Sequence, residues 1–448
     1  MFDLPFISKI EKAGGRCYLV GGAVIAYIQN SPIKDWDIEV HGLGYQLLSD
    51  ILYEFGDANL VGQSFGVIKM MIDGIEFDFS IPRKENRVGG GHKDFECELL
   101  PDLSPKEAAR RRDLTINSIY LDLHDMNLVD PYNGQKDLED GVIRATNPET
   151  FREDPLRVLR IMQILARKGV TIEPETLALC RALADEMAAL SKERIFEEWK
   201  KLLLMADKPS IGLEFLKDSG WLKWFPELEE LIGCPQSPVH HPEGDVWKHT
   251  LMAVDAAAQQ REFIPDDWKL AYMFGMLLHD IGKPATTDPV TFTAYGHDTE
   301  GAKIAAPFME RLTNDKKLIQ NVCQIVKLHM RPGHLVRDEA GIAAWKRLQN
   351  ELRLDIMAYV SLADGMATGG LSGVEKQKPA EIALDYFSSF GETKIEPVLK
   401  GRHLIKAGYK PGPHFGGMLK KAYEYQIETG CEEIHVLLEI ATNSHSSN

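Results

Sequence analysis

Three stretches of the chain hold residues able to do phosphoryl chemistry. The first is YLVGGAVIAYIQNSPIKDWDIEV, where Gly21 and Gly22 stand ahead of Asp35 and Asp37. A glycine pair after a strand lets backbone approach a ligand, and the helix start that follows favours anions. Asp35 and Asp37 alternate along an extended segment, which predicts two carboxylates on one face. Such a pair beside a phosphate cradle suits Mg²⁺, which keeps several waters and takes few protein ligands plus substrate phosphates. Two such ions can activate an attacking hydroxyl and stabilise a leaving oxygen. The second stretch, GIEFDFS, sets Asp78 between Phe77 and Phe79. A carboxylate buried in an apolar strand is costly unless paired or metal-bound. Alone, the glycine pair reads as a turn and the DxD as a solvated strand end; the third acid argues for one site.

The third stretch is spread over about 120 residues, from VWKHTLM (His249) through MLLHDIGKP (His279, Asp280) to SLADGMA (Asp364). Neutral imidazole and carboxylate together suit a divalent transition metal or Mg²⁺. Such a metal generates hydroxide for phosphoester hydrolysis. His297 and His329 are candidates for a second metal, while His240 and His241 read as loop residues and His334 as surface.

These residues need elements to position them. CYLV, VIKMMI, IEFDFSI and SIYLDL read as short strands, and the pattern turns helical from Asn147 onward. PLRVLRIMQILAR and ERIFEEWKKLLLM show apolar residues at helical spacing. The expected fold class is α+β, with a mixed-sheet head followed by helical domains. The expected division is a head over 1–145, a helical neck over 146–233, a histidine-bearing helical domain over 234–370 and a helical tail over 371–448.

Composition sets the outer limits. The 448 residues have an ordinary charged fraction of 26% and a net charge of −16. That charge weighs against wholesale nucleic-acid coating but leaves room for a local basic surface. Lys106 with Arg110, Arg111 and Arg112 forms one basic cluster; Lys192, Arg194, Lys200 and Lys201 form another, and either alone reads as a solvated helix face. No apolar run is long enough for a membrane span. The six cysteines are scattered without a CxxC, so the expected setting is a reducing cytoplasm. Monomer and dimer both fit the sequence.

With these motifs laid out, the chain resembles the class II tRNA nucleotidyltransferases, the CCA-adding enzymes, together with bacterial poly(A) polymerases. LVGGAV with KDWDIEV is similar to the first family motif, and RRRDLTINSIYLD to the second. VDPYNGQKDLEDGVIRATNPETFREDPLRVLR is similar over its whole length, and its EDPLR resembles the nucleotide-selecting motif. The resemblance implies a polymerase-β-like head, catalytic Asp35, Asp37 and Asp78, and Mg²⁺ held by Asp35 and Asp37. It implies nucleotide contacts from Gly21, Gly22, Arg111, Arg112, Asn117, Asp154, Arg157 and Arg160. Aspartate accepts and arginine donates, matching the amino donor and ring-nitrogen acceptor shared by cytosine and adenine. Implied partners are tRNA, CTP and ATP. NRVGGGHKDFECELLPD is similar to a loop tied in the family to the switch from C to A addition. His249, His279, Asp280 and Asp364 resemble an HD phosphohydrolase site with a metal of unspecified identity. The family version carrying an HD domain implies added phosphodiesterase and phosphatase activities. A poly(A) or partial adder, or an HD hydrolase with a degenerate head, stay open as alternatives.

The chain also departs from the pattern. Ile25 and Ala26 stand where the family usually has Arg and Asp, Gln163 where it often has Arg, and His403 replaces an Asp in GRHLIKAGYKPGPHFGG. The last of these stretches reads as helix caps and turns.

Overall fold

The computed structural model describes residues 4–56, 58–62, 66–72, 74–87, 95–368, 373–392 and 394–443. The chain forms two compact units, Met1–Phe225 and Pro226–Asn448.

The first unit begins with the head. Its sheet has seven strands in the order β3-β4-β5-β2-β1-β8-β9. These are β1 (Arg16–Leu19), β2 (Trp36–His41), β3 (Ala58–Gly62), β4 (Val67–Ile72), β5 (Ile75–Ser80), β8 (Tyr120–Asp122) and β9 (Leu128–Val129). The β2–β5 pair is parallel and the other pairings are antiparallel. A separate hairpin joins β6 (Arg83–Arg87) to β7 (Phe95–Leu99). The glycine-rich segment 86–102 expected to act in nucleotide switching runs from the end of β6 through β7; its residues 88–94 fall outside the described ones.

Alternation along β5 settles the position of Asp78. Phe77 and Phe79 point into the core at 1% and 0% exposure, and Asp78 takes the other face with its side chain 32% exposed. The expectation of a carboxylate buried among phenylalanines is thus corrected: period-2 geometry sends the apolar and acidic side chains to opposite faces. Phe6, from the helix Pro5–Lys12, meets both rings edge-on, 5.4 Å from Phe77 and 5.1 Å from Phe79.

The rest of this unit is helical. The helix Leu156–Lys168 buries Val158, Leu159, Ile161, Met162 and Leu165 on one stripe and ends at Gly169 in the left-handed region. It packs on the helices Lys192–Met205 and Pro209–Asp218. Trp199 and Trp221 are fully buried, and the Trp221 indole donates to the Cys180 carbonyl at 3.0 Å.

The second unit is all-helical among its described residues. The helices Val246–Gln260, Asp266–Leu278, His297–Leu312, Lys316–Leu328 and Leu354–Ala367 surround a histidine-rich centre. Asp245 caps the first by accepting from the Lys248 amide, and Asp315 caps the fourth by accepting from Leu318. A small core of Leu399, Leu404, Ala422, Leu437 and Ala441 gathers the tail helices.

Phe6→Ala removes the ring that seats both β5 phenylalanines. The expected cost is about 3–5 kcal/mol in denaturant unfolding, and less for Phe6→Leu or Phe6→Met, which keep part of the buried volume.

Candidate active sites

In the head, Gly21 opens the helix Gly21–Ile28 with φ 63°, a conformation that favours glycine. A Cβ there would lie 3.4 Å from Asp37 Oδ2, so the glycine turn sits directly against the DxD carboxylate. Asp37 and Asp78 are register partners across the parallel β2–β5 pair. Asp35 is exposed at the bend just before β2, so it joins the group from the strand's threshold rather than from within the strand. Lys69 on β4 donates to both Asp78 oxygens, at 2.9 and 2.6 Å. Burial, with Asp78 and Asp35 adding repulsion, raises the Asp37 carboxyl to about 6, while Arg112 and Lys69 offset part of that. A carboxylate strained in this way by its neighbours is suited to a divalent cation.

Behind Asp37 on the same face of β2 lies Glu39. Its Oε2 accepts from Arg112 Nη2 at 2.7 Å and its Oε1 from the Tyr120 hydroxyl at 3.0 Å, with His41 Nε2 also 3.0 Å away. Burial opposes the charge on Glu39, but Arg112 and His41 hold its carboxyl down at about 2. Arg112 also donates to Tyr120 and lies over its ring, 5.2 Å from the centroid. Arg112, expected among the nucleotide contacts, has Glu39 and Tyr120 as its partners here. Arg111 is half-buried, 3.6 Å from Glu153.

Asn117 and Arg160 converge on one buried acid. Asn117 Nδ2 donates to Asp113 Oδ1 at 3.0 Å and Arg160 Nε to Oδ2 at 2.7 Å. Burial would raise Asp113, but Arg160 and Asn117 bring it down to about 2. The Arg157 backbone N–H donates to the Asp154 carbonyl at 3.1 Å, but the two side chains take different partners. Arg194 donates to Asp154 Oδ2 at 2.7 Å, and the Leu156 amide to Oδ1 at 3.2 Å. Arg157 donates to the Thr150 and Arg111 carbonyls at 2.7 and 2.6 Å, tying the second motif to the EDPLR turn. Arg194 is exposed, and its side chain has a partner in Asp154. Ile25, at the first departure, is buried. Gln163 is buried and accepts from Arg167 at 3.0 Å.

The second unit brings its predicted residues together. His249 Nε2 is 3.0 Å from Asp364 Oδ1, 3.2 Å from His279 Nε2 and 3.6 Å from Asp280 Oδ2. On the other side of Asp280, its Oδ1 lies 3.4 Å from His297 Nε2 and 3.8 Å from His329 Nε2, and those nitrogens are 3.2 Å apart. Lys283 Nζ reaches Asp280 Oδ2 at 2.6 Å and donates to Gln236 Oε1 at 2.6 Å. Burial lowers His329 to about 4, with His279 and His297 adding to it; His249 resists burial and is raised to about 9 by Asp364 and Glu243. A Cβ on Gly282 would meet the His297 carbonyl at 2.1 Å, so the glycine of HDIGKP permits the approach that sets His297 in place. His241, read as a loop residue, joins the centre through Glu243, and His334 is half-buried on the short helix Arg331–Arg337.

Sequence reasoning missed Lys69, Glu39, Glu243 and Lys283. Lys283 stood one turn after Asp280 in HDIGKP and was open to notice. Lys69 carries no local signal, since Asp78 comes from the next strand; Glu39 continues the alternation of Asp35 and Asp37, but its partners Arg112 and Tyr120 come from a distant bend and from β8.

A strand-borne acid group against a glycine turn, together with a helical HD-type centre, defines a nucleotidyltransferase-type chain with a second, metal-ligating domain. Family models match in the same order: the poly A polymerase head domain over residues 17–144, the probable RNA and SrmB-binding site of polymerase A over 169–232, and the HD domain over 246–368. The multifunctional CCA protein of Hahella chejuensis is 34% identical over 410 residues, 88% of this chain and 90% of that protein. That of Azoarcus sp. is 34% identical over 364 residues, 79% and 84%. The chain belongs to the multifunctional CCA protein family. Among solved structures, the Bacillus stearothermophilus CCA-adding enzyme in complex with CTP shares the fold with a TM-score of 0.69 at 20% identity, over 97% of this chain and 95% of that one. The Thermotoga maritima CCA-adding enzyme complexed with tRNA shares it at 0.56 and 18% identity, over 97% and 93%.

Asp113→Asn takes the charged partner from the part-exposed Arg160, which keeps Glu198 and Asp154 nearby, and is expected to cost about 1–2 kcal/mol in thermal unfolding. Arg160→Met in the same chain should recover most of that. Because the folded Asp113 carboxyl is lowered, its contribution is present above about pH 4 and is lost as pH falls toward 2. The variant's unfolding curve should therefore converge on wild type in acid.

Proposed function

We propose that this chain adds C, C and then A to the 3′ end of tRNA from CTP and ATP without a nucleic-acid template, and that its HD domain hydrolyses phosphoesters. The observation that carries the first part is the in-register Asp37–Asp78 pair with the Gly21 turn against it, in a chain of this family. Asp35 and Asp37 would hold Mg²⁺, and Asp78 would complete the acid group once Lys69 shares or releases it. The bound ions supply activation of the tRNA hydroxyl and charge neutralisation at the phosphates. The helix N-terminus at Gly21 and Gly22 offers backbone N–H groups to the triphosphate. Arg112, held by Glu39, and Arg111, 3.6 Å from Glu153, would supply positive charge on the nucleotide side. Asn117 and Arg160, joined at Asp113, brace the nucleotide side.

Base choice falls to Asp154 and Arg157. Two of the five Arg157 N–H donors are spent on carbonyls, which fixes the guanidinium plane and leaves the others for a base edge. Asp154 accepts. Guanine and uracil would set like against like, at roughly 1–3 kcal/mol per buried mismatch.

In the HD domain, the donor set fits divalent metal. His279, His297 and His329 donate Nδ1–H to main-chain carbonyls, so a neutral ring presents a bare Nε2 inward. Two bare nitrogens at 3.2 Å, His297 and His329, repel unless a cation lies between them and Asp280. His249, His279, Asp280 and Asp364 would hold one ion, and His297, His329 and Asp280 a second. Metal-bound water would supply the nucleophile for terminal 2′,3′-cyclic or 2′-phosphates, and Lys283 neutralises Asp280 beside it. The four-part division at 145, 233 and 370, and a cytoplasmic setting, complete this reading.

The first test is extension of tRNA ending at the discriminator base, with Mg²⁺ and CTP, ATP or both, resolved at single-nucleotide length. Two C and one A, with no G or U, are expected, and Asp37→Asn should lower the rate about a thousandfold or more. Long A tails would make the chain a poly(A) polymerase; no extension with hydrolysis intact would leave only the HD activity. For the HD domain, metal analysis after dialysis should find two divalent ions per chain. His297→Ala should leave one, and Asp280→Asn should abolish release of phosphate from 2′-phosphate substrates. Hydrolysis unchanged in Asp280→Asn would sink this part.

A further inference from the structure

Taking the HD domain as the divalent-metal centre proposed above, four imidazoles must aim Nε2 inward. Each then needs an acceptor behind it to hold its Nδ1–H. Three find one in the main chain because they stand at helix ends. His279 and His329 follow the last residues of Asp266–Leu278 and Lys316–Leu328, where terminal carbonyls lack helical partners. Their Nδ1 atoms lie 2.8 Å from the Met276 carbonyl and 2.7 Å from that of Val326. His297 begins its helix and reaches back to the Ala294 carbonyl at 2.7 Å.

His249 differs in place: it lies inside the first turns of Val246–Gln260 rather than at a helix end, and its Nδ1 meets a side chain. The acceptor is brought in from the preceding loop. Glu243 Oε1 is 2.9 Å from His249 Nδ1, and the same oxygen is 2.8 Å from His241 Nδ1. The Glu243 side chain is 3% exposed and that of His249 0%. A charged group is thus placed where its three counterparts use neutral carbonyls, and a second imidazole on the same oxygen anchors it.

We propose that Glu243 is the positioning residue that makes the two metal positions unequal, so that the position of His249, His279, Asp280 and Asp364 fills before that of His297 and His329. A carboxylate behind an imidazole fixes the ring, strengthens it as a ligand and adds negative charge near the ion; a carbonyl gives only the first of these in full. The inner ligands point the same way. Asp364 serves the His249 side, whereas His297 and His329 share Asp280 Oδ1.

The test is a Co²⁺ titration of the full chain stripped with chelator, followed by calorimetry and by the ligand-field absorption of the bound ion. Wild type is expected to show a tight and a weak class. Glu243→Ala should weaken the tight class by about ten- to a hundredfold, and Glu243→Gln, which keeps an acceptor without the charge, by less. Both should leave the weak class within about twofold, whereas His297→Ala should remove the weak class alone. Melting temperature in chelator checks that each variant folds. If Glu243→Ala does not fold, Glu243→Gln and Glu243→Asp carry the comparison. A tight class unchanged in a folded Glu243 variant, or both classes weakened alike, overturns the proposal. A wild-type chain that binds no Co²⁺ overturns the reading of the HD centre itself, a result told apart from the first two by the wild-type titration.

Discussion

Asp37 and Asp78 stand in register on adjacent parallel strands, and the sheet gives them little freedom to part. Strand spacing of about 4.8 Å sets how far such carboxylates can separate. The rest of the head follows from managing that repulsion. Lys69 answers Asp78 from the next strand, and Arg112, held by Glu39 and Tyr120, answers Asp37 from below. Burial is the main cause that raises the Asp37 carboxyl; repulsion from Asp78 and Asp35 adds to it, and Arg112 and Lys69 offset part. Burying Phe77 and Phe79 against Phe6 keeps β5 from rotating out of the conflict. The core therefore stabilises a site that would otherwise relax.

The HD domain meets the same constraint with different groups. There the repelling atoms are imidazole lone pairs and two carboxylates, and helix ends rather than strand register hold them in place. Helix termini leave carbonyls unsatisfied, and these orient three of the four rings at no extra cost in residues. In both units, main-chain geometry fixes the distance between groups that would separate in solution.

Much of this was legible in the sequence, and the limit is physical. GG, DxD, Asp78 and the HD histidines are local patterns, and local geometry follows from them. The second-layer groups have no such signature. Glu39 depends on Arg112, 73 residues away, and Lys69 on Asp78 across a hairpin. The Asp154–Arg157 spacing fits one helix face, yet Asp154 precedes the helix and caps its first amide, so the two side chains diverge to Arg194 and to the Thr150 and Arg111 carbonyls. Spacing rules hold inside a helix and fail at its start.

The departures at Ile25 and Ala26 can be weighed in the same terms. Ile25 is buried in the helix that begins with the glycine pair. An arginine there would need a counter-charge to be buried, and the acid that usually follows it is absent as well. Replacing both removes a pair rather than orphaning a charge, which is often neutral or stabilising for a fold. What is lost is one cation near the phosphate cradle. Arg111, on the second motif, is half-buried and lies 3.6 Å from Glu153. The acid pair in register on β2 and β5 is left intact by this change.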